Sequence, residues 1–247
     1  MARIALFGDV HGNAPALEAV RKAVRAAKPD AVLIAGDLVL NGPDPAAAVD
    51  GIRELEADGA LVVQGNTDVA VADFDYAAAF PWLTDGVPES FRSAAEWAHD
   101  ALGEDRLDWL RRLPSERRIR LEDTLVLVCH ASPGSQTAGF DQVLEPNVTL
   151  ERVSRTDARV VACGHTHLPE VRDLGWKMIV NSGSAGYVFD GDPTASWALI
   201  ELIDGEVRAE IRRVEFDAMA VSNAISARGL PGDVYRAATV RTGKLVR

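Results

Sequence analysis

A carboxylate and an imidazole stand two residues apart near the start of the chain. Asp9 and His11 belong to the stretch Gly8-Asp9-Val10-His11-Gly12-Asn13, which follows an apolar run at residues 4–7. If the backbone is still extended there, its two-residue period directs both side chains to the same side. The flanking glycines permit a turn and the close approach of a ligand. Alone, the stretch is equally compatible with a metal site and with a chance pair at a strand end.

Five more side chains that can bind metals follow apolar runs in the same way. They are Asp37, Asn66, His130, His165 and His167. In open α/β sheets, ligands bind outside the carboxyl ends of the strands, so residues at such ends are expected to meet. Each of the seven has an ordinary structural explanation, but their shared position favours a common site. The fifth histidine, His99, lies in a helical pattern without polar partners at ligand spacing, and we expect an ordinary helix residue there.

The residue types indicate which ions such a site would bind. Imidazole, carboxylate and amide groups without a thiolate favour borderline or hard divalent ions such as Mn²⁺, Fe²⁺ or Zn²⁺. His165 and His167 are separated by one residue, so they could address two adjacent ions rather than chelate one. Two ions about 3.5–4 Å apart activate a bridging hydroxide and clamp a phosphoryl group during in-line displacement.

The elements that must position these residues alternate in the first third of the chain. Continuous apolar runs at 31–35 and 60–63 predict strands buried on both faces, and the segments before them have helical spacing. Such alternation is typical of a parallel sheet. From residue 118 the pattern becomes rich in strands, with hairpin signals at Gly175-Trp176 and Asp204-Gly205. Two sheets packed face to face, with helices outside, would reconcile the two halves.

Two further segments have a different character. Residues 69–115 are aromatic, alanine-rich and amphipathic, which predicts a helical excursion that packs beside the sheet and overhangs the site. The segment from about residue 231 is polar and basic, and we expect a loosely held tail. No repeat, low-complexity run or linker marks a second domain, so we expect one domain over residues 1–247.

Composition and charge exclude several classes of protein. A net charge of −11 argues against a long nucleic-acid ligand, because neutralising a phosphate backbone needs a concentrated basic surface. Cys129 and Cys163 lie in apolar runs, so we expect two buried core thiols in a reducing compartment. The apolar run at the start is interrupted by Asp9, too early for a signal peptide, and no run is long enough to span a membrane. The expected location is the cytoplasm.

These motifs, in this order, resemble those of the calcineurin-like metallophosphoesterases. The resemblance runs from residue 4 to about 186 and includes Asn181-Ser182-Gly183-Ser184. It is closer to the small single-domain bacterial and archaeal phosphodiesterases, which share the Gly-Pro-Asp-Pro stretch at 42–45. The resemblance implies an α/β fold, namely a four-layer α-β-β-α sandwich with two mixed sheets flanked by helices.

The resemblance also implies roles for individual residues. Two divalent ions are expected, Mn²⁺ before Fe²⁺, Zn²⁺ or Ni²⁺, and a hydroxide bridging them is the nucleophile. The first ion would be bound by Asp9, His11, Asp37 and His167. The second would be bound by Asp37, Asn66, His130 and His165, so that Asp37 bridges the two. Asn13 is similar to the family position beside the phosphate, and we expect it to contact substrate.

One residue departs from the family pattern. Many members have Gly-Asn-His followed by an acidic residue, and that histidine is thought to protonate the leaving oxygen. Here Thr67 occupies the position and Asp68 is retained. A hydroxyl is a poor general acid near neutrality, so an acid contribution of about 10²–10⁴ in rate is in doubt. We therefore expect a preference for leaving groups that depart without protonation, such as phenolates.

Two functions follow from this resemblance. The first is a dinuclear metal-dependent phosphoesterase, more a phosphodiesterase than a monoesterase, that hydrolyses a small phosphate ester or nucleotide. The second is a non-catalytic scaffold or binding protein, as in a eukaryotic membrane-trafficking subunit similar to this branch. A scaffold has no reason to retain seven ligands, so the sequence favours the enzyme. It does not specify the substrate, the native metal or the oligomeric state.

Overall fold

Two five-stranded sheets packed face to face form the centre of the computed structural model, which describes residues 1–247. The first sheet has the spatial order β10-β9-β1-β2-β3 and contains β1 (Ala2–Phe7), β2 (Ala31–Ile34), β3 (Leu61–Val62), β9 (Ala195–Ile203) and β10 (Glu206–Val214). The second has the order β4-β5-β6-β8-β7 and contains β4 (Glu116–Leu121), β5 (Thr124–Cys129), β6 (Val160–Cys163), β7 (Glu170–Asp173) and β8 (Met178–Asn181).

Both sheets are mixed, and each has three parallel strands that carry the site. In the first sheet, β1 pairs in parallel with β2, and β2 with β3, while β9 and β10 are antiparallel additions. In the second, β5, β6 and β8 are parallel, and β4 and β7 are antiparallel edges. The predicted hairpins at residues 175–176 and 204–205 join β7 to β8 and β9 to β10.

The side chains of β1 show how the layers are built. Ile4 and Leu6 point into the apolar cluster between the two sheets, whereas Ala5 and Phe7 point into the cluster under the helices. This alternation follows from the two-residue period of a strand whose two faces are both buried. It makes β1 a central strand of the molecule, and the first predicted site residues follow it directly.

Helices cover the outer face of each sheet. The first sheet is covered by α1 (Ala14–Ala27), α2 (Pro45–Ala57) and α5 (Glu89–Arg112), whose apolar residues share one cluster, and the second by α6 (Pro146–Val153). The predicted four-layer α-β-β-α sandwich with two mixed sheets is confirmed. None of the helices combines the length and apolar composition needed to cross a bilayer.

The segment 69–115 is helical, as predicted. It contains the end of α3 (Asn66–Asp73), the short α4 (Tyr76–Ala79) and α5. The regular backbone of α5 is interrupted at Gly103, which has φ +70° and ψ 163°, a conformation that only glycine adopts readily. Gly103 therefore divides α5 into two helical halves.

The chain after residue 231 differs from the expected loose tail. Helix α7 (Ala218–Arg228) leads into α8 (Asp233–Thr242), and the two helices pack together over Tyr187. Arg236 in α8 and Arg228 at the end of α7 have nearly fully buried side chains. Arg228 donates to the carbonyl oxygens of Asn41 (3.0 Å) and Gly42 (2.7 Å) in the loop after β2.

A single carboxylate links these buried arginines. Asp233 accepts hydrogen bonds from Arg228 (2.7 Å) and Arg236 (3.1 Å), and its side chain is almost inaccessible to solvent. Arg236 also donates to the side chain of Asn41 (3.1 Å) and to the carbonyl of Ser90. The polar composition thus conceals a network that joins α8 to two other parts of the chain.

Removing the shared carboxylate should destabilise the protein markedly. Asp233→Ala leaves two buried guanidinium groups without their counter-ion, and we expect a loss of about 3 kcal/mol or more in the free energy of unfolding. Equilibrium unfolding in guanidinium chloride measures this loss of stability. The control Glu215→Ala replaces an exposed carboxylate and should change stability by less than about 0.5 kcal/mol. Equal stability of the two variants would show that the network contributes little.

Candidate metal centre

All seven predicted metal ligands meet at one edge of the sandwich, where the parallel strands of both sheets end. Asp9 and His11 follow β1, Asp37 follows β2, Asn66 begins α3 after β3, His130 follows β5, and His165 and His167 follow β6. Six of these side chains are buried and His165 is half-buried. The two sheets therefore contribute jointly to one group of polar side chains.

The first group of ligand atoms is tightly clustered. One ligand atom from each of Asp9, His11, Asp37 and His167 can be chosen so that all lie within 4.8 Å of one another. The Nε2 atoms of His11 and His167 are 3.1 Å apart, and the Nε2 atom of His167 is 3.2 Å from Oδ1 of Asp9. Oδ2 of Asp37 lies 3.5 Å from Nε2 of His11.

The second group lies on the other side of Asp37. Oδ1 of Asn66 is 2.9 Å from Nε2 of His130 and 3.1 Å from Nδ1 of His165. Nε2 of His130 is in turn 3.3 Å from Oδ1 of Asp37. Asp37 therefore presents one carboxylate oxygen to each group.

Backbone carbonyl oxygens orient three of the imidazoles. Each ring places its Nδ1 atom against a carbonyl, so Nδ1 carries the proton and Nε2 keeps a free lone pair directed into the group. The pairs are His11 with Leu40 (2.8 Å), His130 with Ala35 (2.7 Å), and His167 with Tyr187. In a similar way, the Asn66 amide nitrogen donates to Ala79 (3.0 Å), which turns its oxygen toward the site.

The resulting cluster has many hydrogen-bond acceptors and few hydrogen-bond donors. Oδ1 of Asp9 is buried and has no hydrogen-bond partner, although it lies next to the imidazole of His167. Buried oxygen and nitrogen lone pairs that face one another repel unless a cation lies between them. The donor set of this cluster fits a divalent cation on this observation alone.

The pKa shifts of three side chains of the site support the same conclusion. His130 departs from it: burial would lower its pKa, but the carboxylates of Asp37 and Asp9 raise it. Burial would raise the pKa of Asp9, but the neighbouring His167 and the other site histidines lower it to about 2. Burial lowers the pKa of His11 to about 4 despite nearby carboxylates. Burial and the adjacent His130 likewise lower the pKa of His165 to about 4. At neutral pH the carboxylate is thus ionised and both rings are neutral, which are the metal-binding forms.

The backbone of the site is in an uncommon conformation. Five of the seven predicted ligands have positive φ angles between 51° and 72°, a region that residues other than glycine rarely adopt. They are Asp9, His11, Asp37, His165 and His167. Such conformations cost about 1–3 kcal/mol each and persist where the surroundings enforce them. The turns at the strand ends therefore place the side chains of the site at the expense of local backbone stability.

A sequence model of the calcineurin-like phosphoesterase superfamily domain matches residues 2–205. The chain belongs to this superfamily. A metallophosphoesterase from Sphaerobacter thermophilus is similar to it in structure, with 27% identity, a TM-score of 0.75, and coverage of 98% of this chain and 99% of that one.

Two archaeal proteins are similar over nearly the whole chain. A hypothetical protein from Pyrococcus horikoshii has 21% identity and a TM-score of 0.83, with coverage of 98% of this chain and 99% of that one, which shows the fold. An uncharacterized protein from Methanocaldococcus jannaschii is 26% identical over 246 aligned positions, which cover 92% of this chain and 93% of the relative. The similarity thus extends past the matched domain to α7 and α8.

The side chain of Asn13, predicted to contact substrate, forms hydrogen bonds within the protein. Its side-chain oxygen accepts from the amide of Ala16 (3.2 Å), which caps α1, and its amide nitrogen donates to the carbonyl of Gly186 (2.9 Å). Both polar groups are buried and used, so a contact with substrate would require these bonds to break. The structure gives Asn13 a position that joins the first strand-end loop to the segment after β8.

Thr67 and Asp68 have clearly different surroundings. The Thr67 amide donates to Oδ1 of Asp37 (2.9 Å), and the Thr67 hydroxyl is buried without a partner beside the cavity. Asp68 accepts from the amides of Leu38 (2.7 Å) and Gly65 (2.8 Å), so it ties two ligand loops together. Burial and the charge of Asp37 raise the pKa of Asp68 to about 7.

The residues that were not expected to bind metal have ordinary surroundings. His99 places Nδ1 2.7 Å from the carbonyl of Val71 and packs against the ring of Phe74, away from the centre. Cys129 and Cys163 are free and buried, and burial raises the pKa of both thiols. The expectations of a helix histidine and two core thiols are confirmed.

A cavity of about 650 Å³ opens onto the centre, and its walls include residues that the motifs do not indicate. Trp82 and Phe91 come from the helical excursion, as the expected overhang implies. Phe189, Tyr235 and Arg236 come from the loop after β8 and from α8. No spacing rule connects such distant residues to strand-end motifs, so the sequence pattern carried no signal for them.

The close packing around Asp9 leads to a test. A Cβ atom at Gly164 would clash with Oδ2 of Asp9, the oxygen that accepts from the amide of His165 (2.9 Å). Gly164→Ala must therefore displace this carboxylate, and we expect a loss of about 1–3 kcal/mol in stability together with weaker binding of Mn²⁺. Denaturant unfolding and calorimetric titration with Mn²⁺ measure the two effects. Binding and stability equal to those of the wild type would contradict the packing described.

Proposed function

We propose that this member of the superfamily is a dinuclear metal-dependent phosphoesterase. Asp37 carries the proposal, because its two oxygens face two separate groups of ligand atoms, 3.5 Å from His11 and 3.3 Å from His130. The first ion would be bound by Asp9, His11, Asp37 and His167. The second would be bound by Asp37, Asn66, His130 and His165.

The chain's own groups would hold the reacting atoms in place. Two divalent ions bound there would supply Lewis-acid activation of water and would offset the charge of a phosphoryl group. The buried imidazoles, fixed through their Nδ1 atoms, would preserve the ion positions during the reaction. Mn²⁺ is the ion we propose, with Fe²⁺, Zn²⁺ or Ni²⁺ as alternatives, because the set contains imidazole, carboxylate and amide groups and no thiolate.

The substrate we propose is a small phosphate ester or nucleotide, and a diester before a monoester. A cavity of about 650 Å³ is in the range that encloses a small molecule. The net charge of −11 disfavours long nucleic acids. Two buried free thiols are consistent with the reducing cytoplasm, where we propose that the protein acts.

Hydrolysis of a chromogenic aryl phosphodiester in the presence of Mn²⁺ tests the proposal. Asp37→Asn removes the shared charge, and we expect the rate to fall by at least about 100-fold. His99→Ala is a matched control, since it removes a histidine that lies outside the centre. Mn²⁺ should also raise the melting temperature of the wild type and of the control much more than that of Asp37→Asn. Equal rates in wild type and Asp37→Asn would favour a scaffold that retains the fold.

Thr67 allows a separate test of the leaving-group chemistry. Thr67 lines the cavity and its buried hydroxyl has no hydrogen-bond partner, but the ordinary acidity of a hydroxyl makes it a poor proton donor. Thr67→His should raise the turnover of alkyl phosphodiesters relative to aryl ones, by about tenfold or more if the imidazole donates the proton. Thr67→Ser keeps a hydroxyl and should leave the ratio of the two rates unchanged. An unchanged ratio in Thr67→His would show that proton donation does not limit the reaction.

A further inference from the structure

The cavity over the centre exposes several aromatic rings. Trp82 and Phe91 form one wall, and Tyr235 and Phe189 contribute to another. Trp82 is 54% exposed, Tyr235 49% and Phe91 37%, which are high values for such large apolar side chains. Exposed apolar surface concentrated around one cavity marks a place where a ligand covers it.

The rings are held in fixed orientations by their neighbours. Phe80 is buried and packs edge-to-face against both Trp82 (centroids 5.8 Å apart) and Phe91 (5.3 Å). Phe189 stacks on His167 with ring centroids 4.1 Å apart and an interplanar angle of 11°. Because these rings are already ordered, a ligand that stacks on them loses little additional side-chain entropy.

Aromatic rings also reach the candidate metal ligands themselves. The ring of Trp82 is 6.4 Å from that of His165, while Phe189 covers one face of His167. A phosphate placed at the metal centre would therefore lie within a few bond lengths of both aromatic surfaces. A ring attached close to that phosphate could contact them, whereas a bare phosphate could not.

The charge of the cavity favours an anion with an uncharged organic part. Outside the candidate ligand Asp37, no carboxylate side chain lines it, although the chain has a net charge of −11. Arg228 and Arg236 share the single carboxylate of Asp233, so this network keeps one excess positive charge, and Arg236 lines the cavity.

We infer that the substrate is a phosphoester whose organic group carries a planar aromatic ring, such as a nucleobase, and that this ring stacks on Trp82. The inference rests on the proposed function, and it narrows the substrate from any small phosphate ester to this class. The exposed indole of Trp82 on the cavity wall provides the main reason for an aromatic rather than an aliphatic group, since base–aromatic stacking is favourable for every base.

Calorimetric titration with two matched pairs of ligands tests the inference in the presence of Mn²⁺. Adenosine monophosphate and ribose 5-phosphate differ by the base, and benzyl phosphate and cyclohexylmethyl phosphate differ mainly in aromaticity. The aromatic member of each pair should bind more tightly, by about tenfold or more for the nucleotide. Free phosphate is assayed after each titration, so that any turnover is recognised.

Variants of Trp82 separate stacking from general apolar contact. Trp82→Leu should reduce the ratio of the two dissociation constants in each pair to near one, whereas Trp82→Phe should retain most of it. Trp176→Leu replaces a tryptophan that is 51% exposed and lies outside this cavity, and it should leave both ratios unchanged. The melting temperature of each variant establishes that the variant is folded.

Several results would overturn the inference. Equal binding of adenosine monophosphate and ribose 5-phosphate, equal binding of the benzyl and cyclohexylmethyl esters, or failure of all four ligands to bind would each reject it. Because binding is measured separately from hydrolysis, unequal or equal affinities within a pair are distinct from a failure of the hydrolysis test with Asp37→Asn. If the protein hydrolyses phosphodiesters but shows no preference for aromatic ligands, the proposed function stands and the inference about the aromatic ring is wrong.

Discussion

The main constraint on this structure is the close approach of oxygen and nitrogen lone pairs at the buried edge where the parallel strands of both sheets end. Oδ1 of Asp9 has no hydrogen-bond partner, and the Nε2 atoms of His11 and His167 approach within 3.1 Å. Without a positive charge, such an arrangement is costly in a low-dielectric interior. Three features hold this cluster together. Backbone carbonyls orient the histidine rings, turns with positive φ angles place the side chains, and Asp68 accepts hydrogen bonds from two of the loops.

Much of this edge could be predicted from the sequence because the signals are local. A buried parallel strand is a short apolar run, and the residue that follows it must lie at the sheet edge, so Asp37 and His130 could be placed without coordinates. The two mixed sheets could also be predicted, since a hairpin signal such as Asp204-Gly205 is a property of adjacent residues.

Interactions between distant residues could not be predicted in the same way. The buried roles of Arg228 and Arg236 depend on Asp233 and on the loop at Asn41, and composition alone made this segment look loose. The hydrogen bonds of Asn13 to α1 and to Gly186 could not be predicted for a similar reason. A polar residue is assigned to the surface by default, and only its partners in three dimensions show that it is buried.

The division of the centre between the two sheets has a consequence for how the protein assembles. Each group of ligands draws on both sheets: His167 alone represents the second sheet in the first group, while Asp37 and Asn66 represent the first sheet in the second. Neither sheet by itself offers a complete set. An ion bound at either group would therefore act as a cross-link between the two sheets.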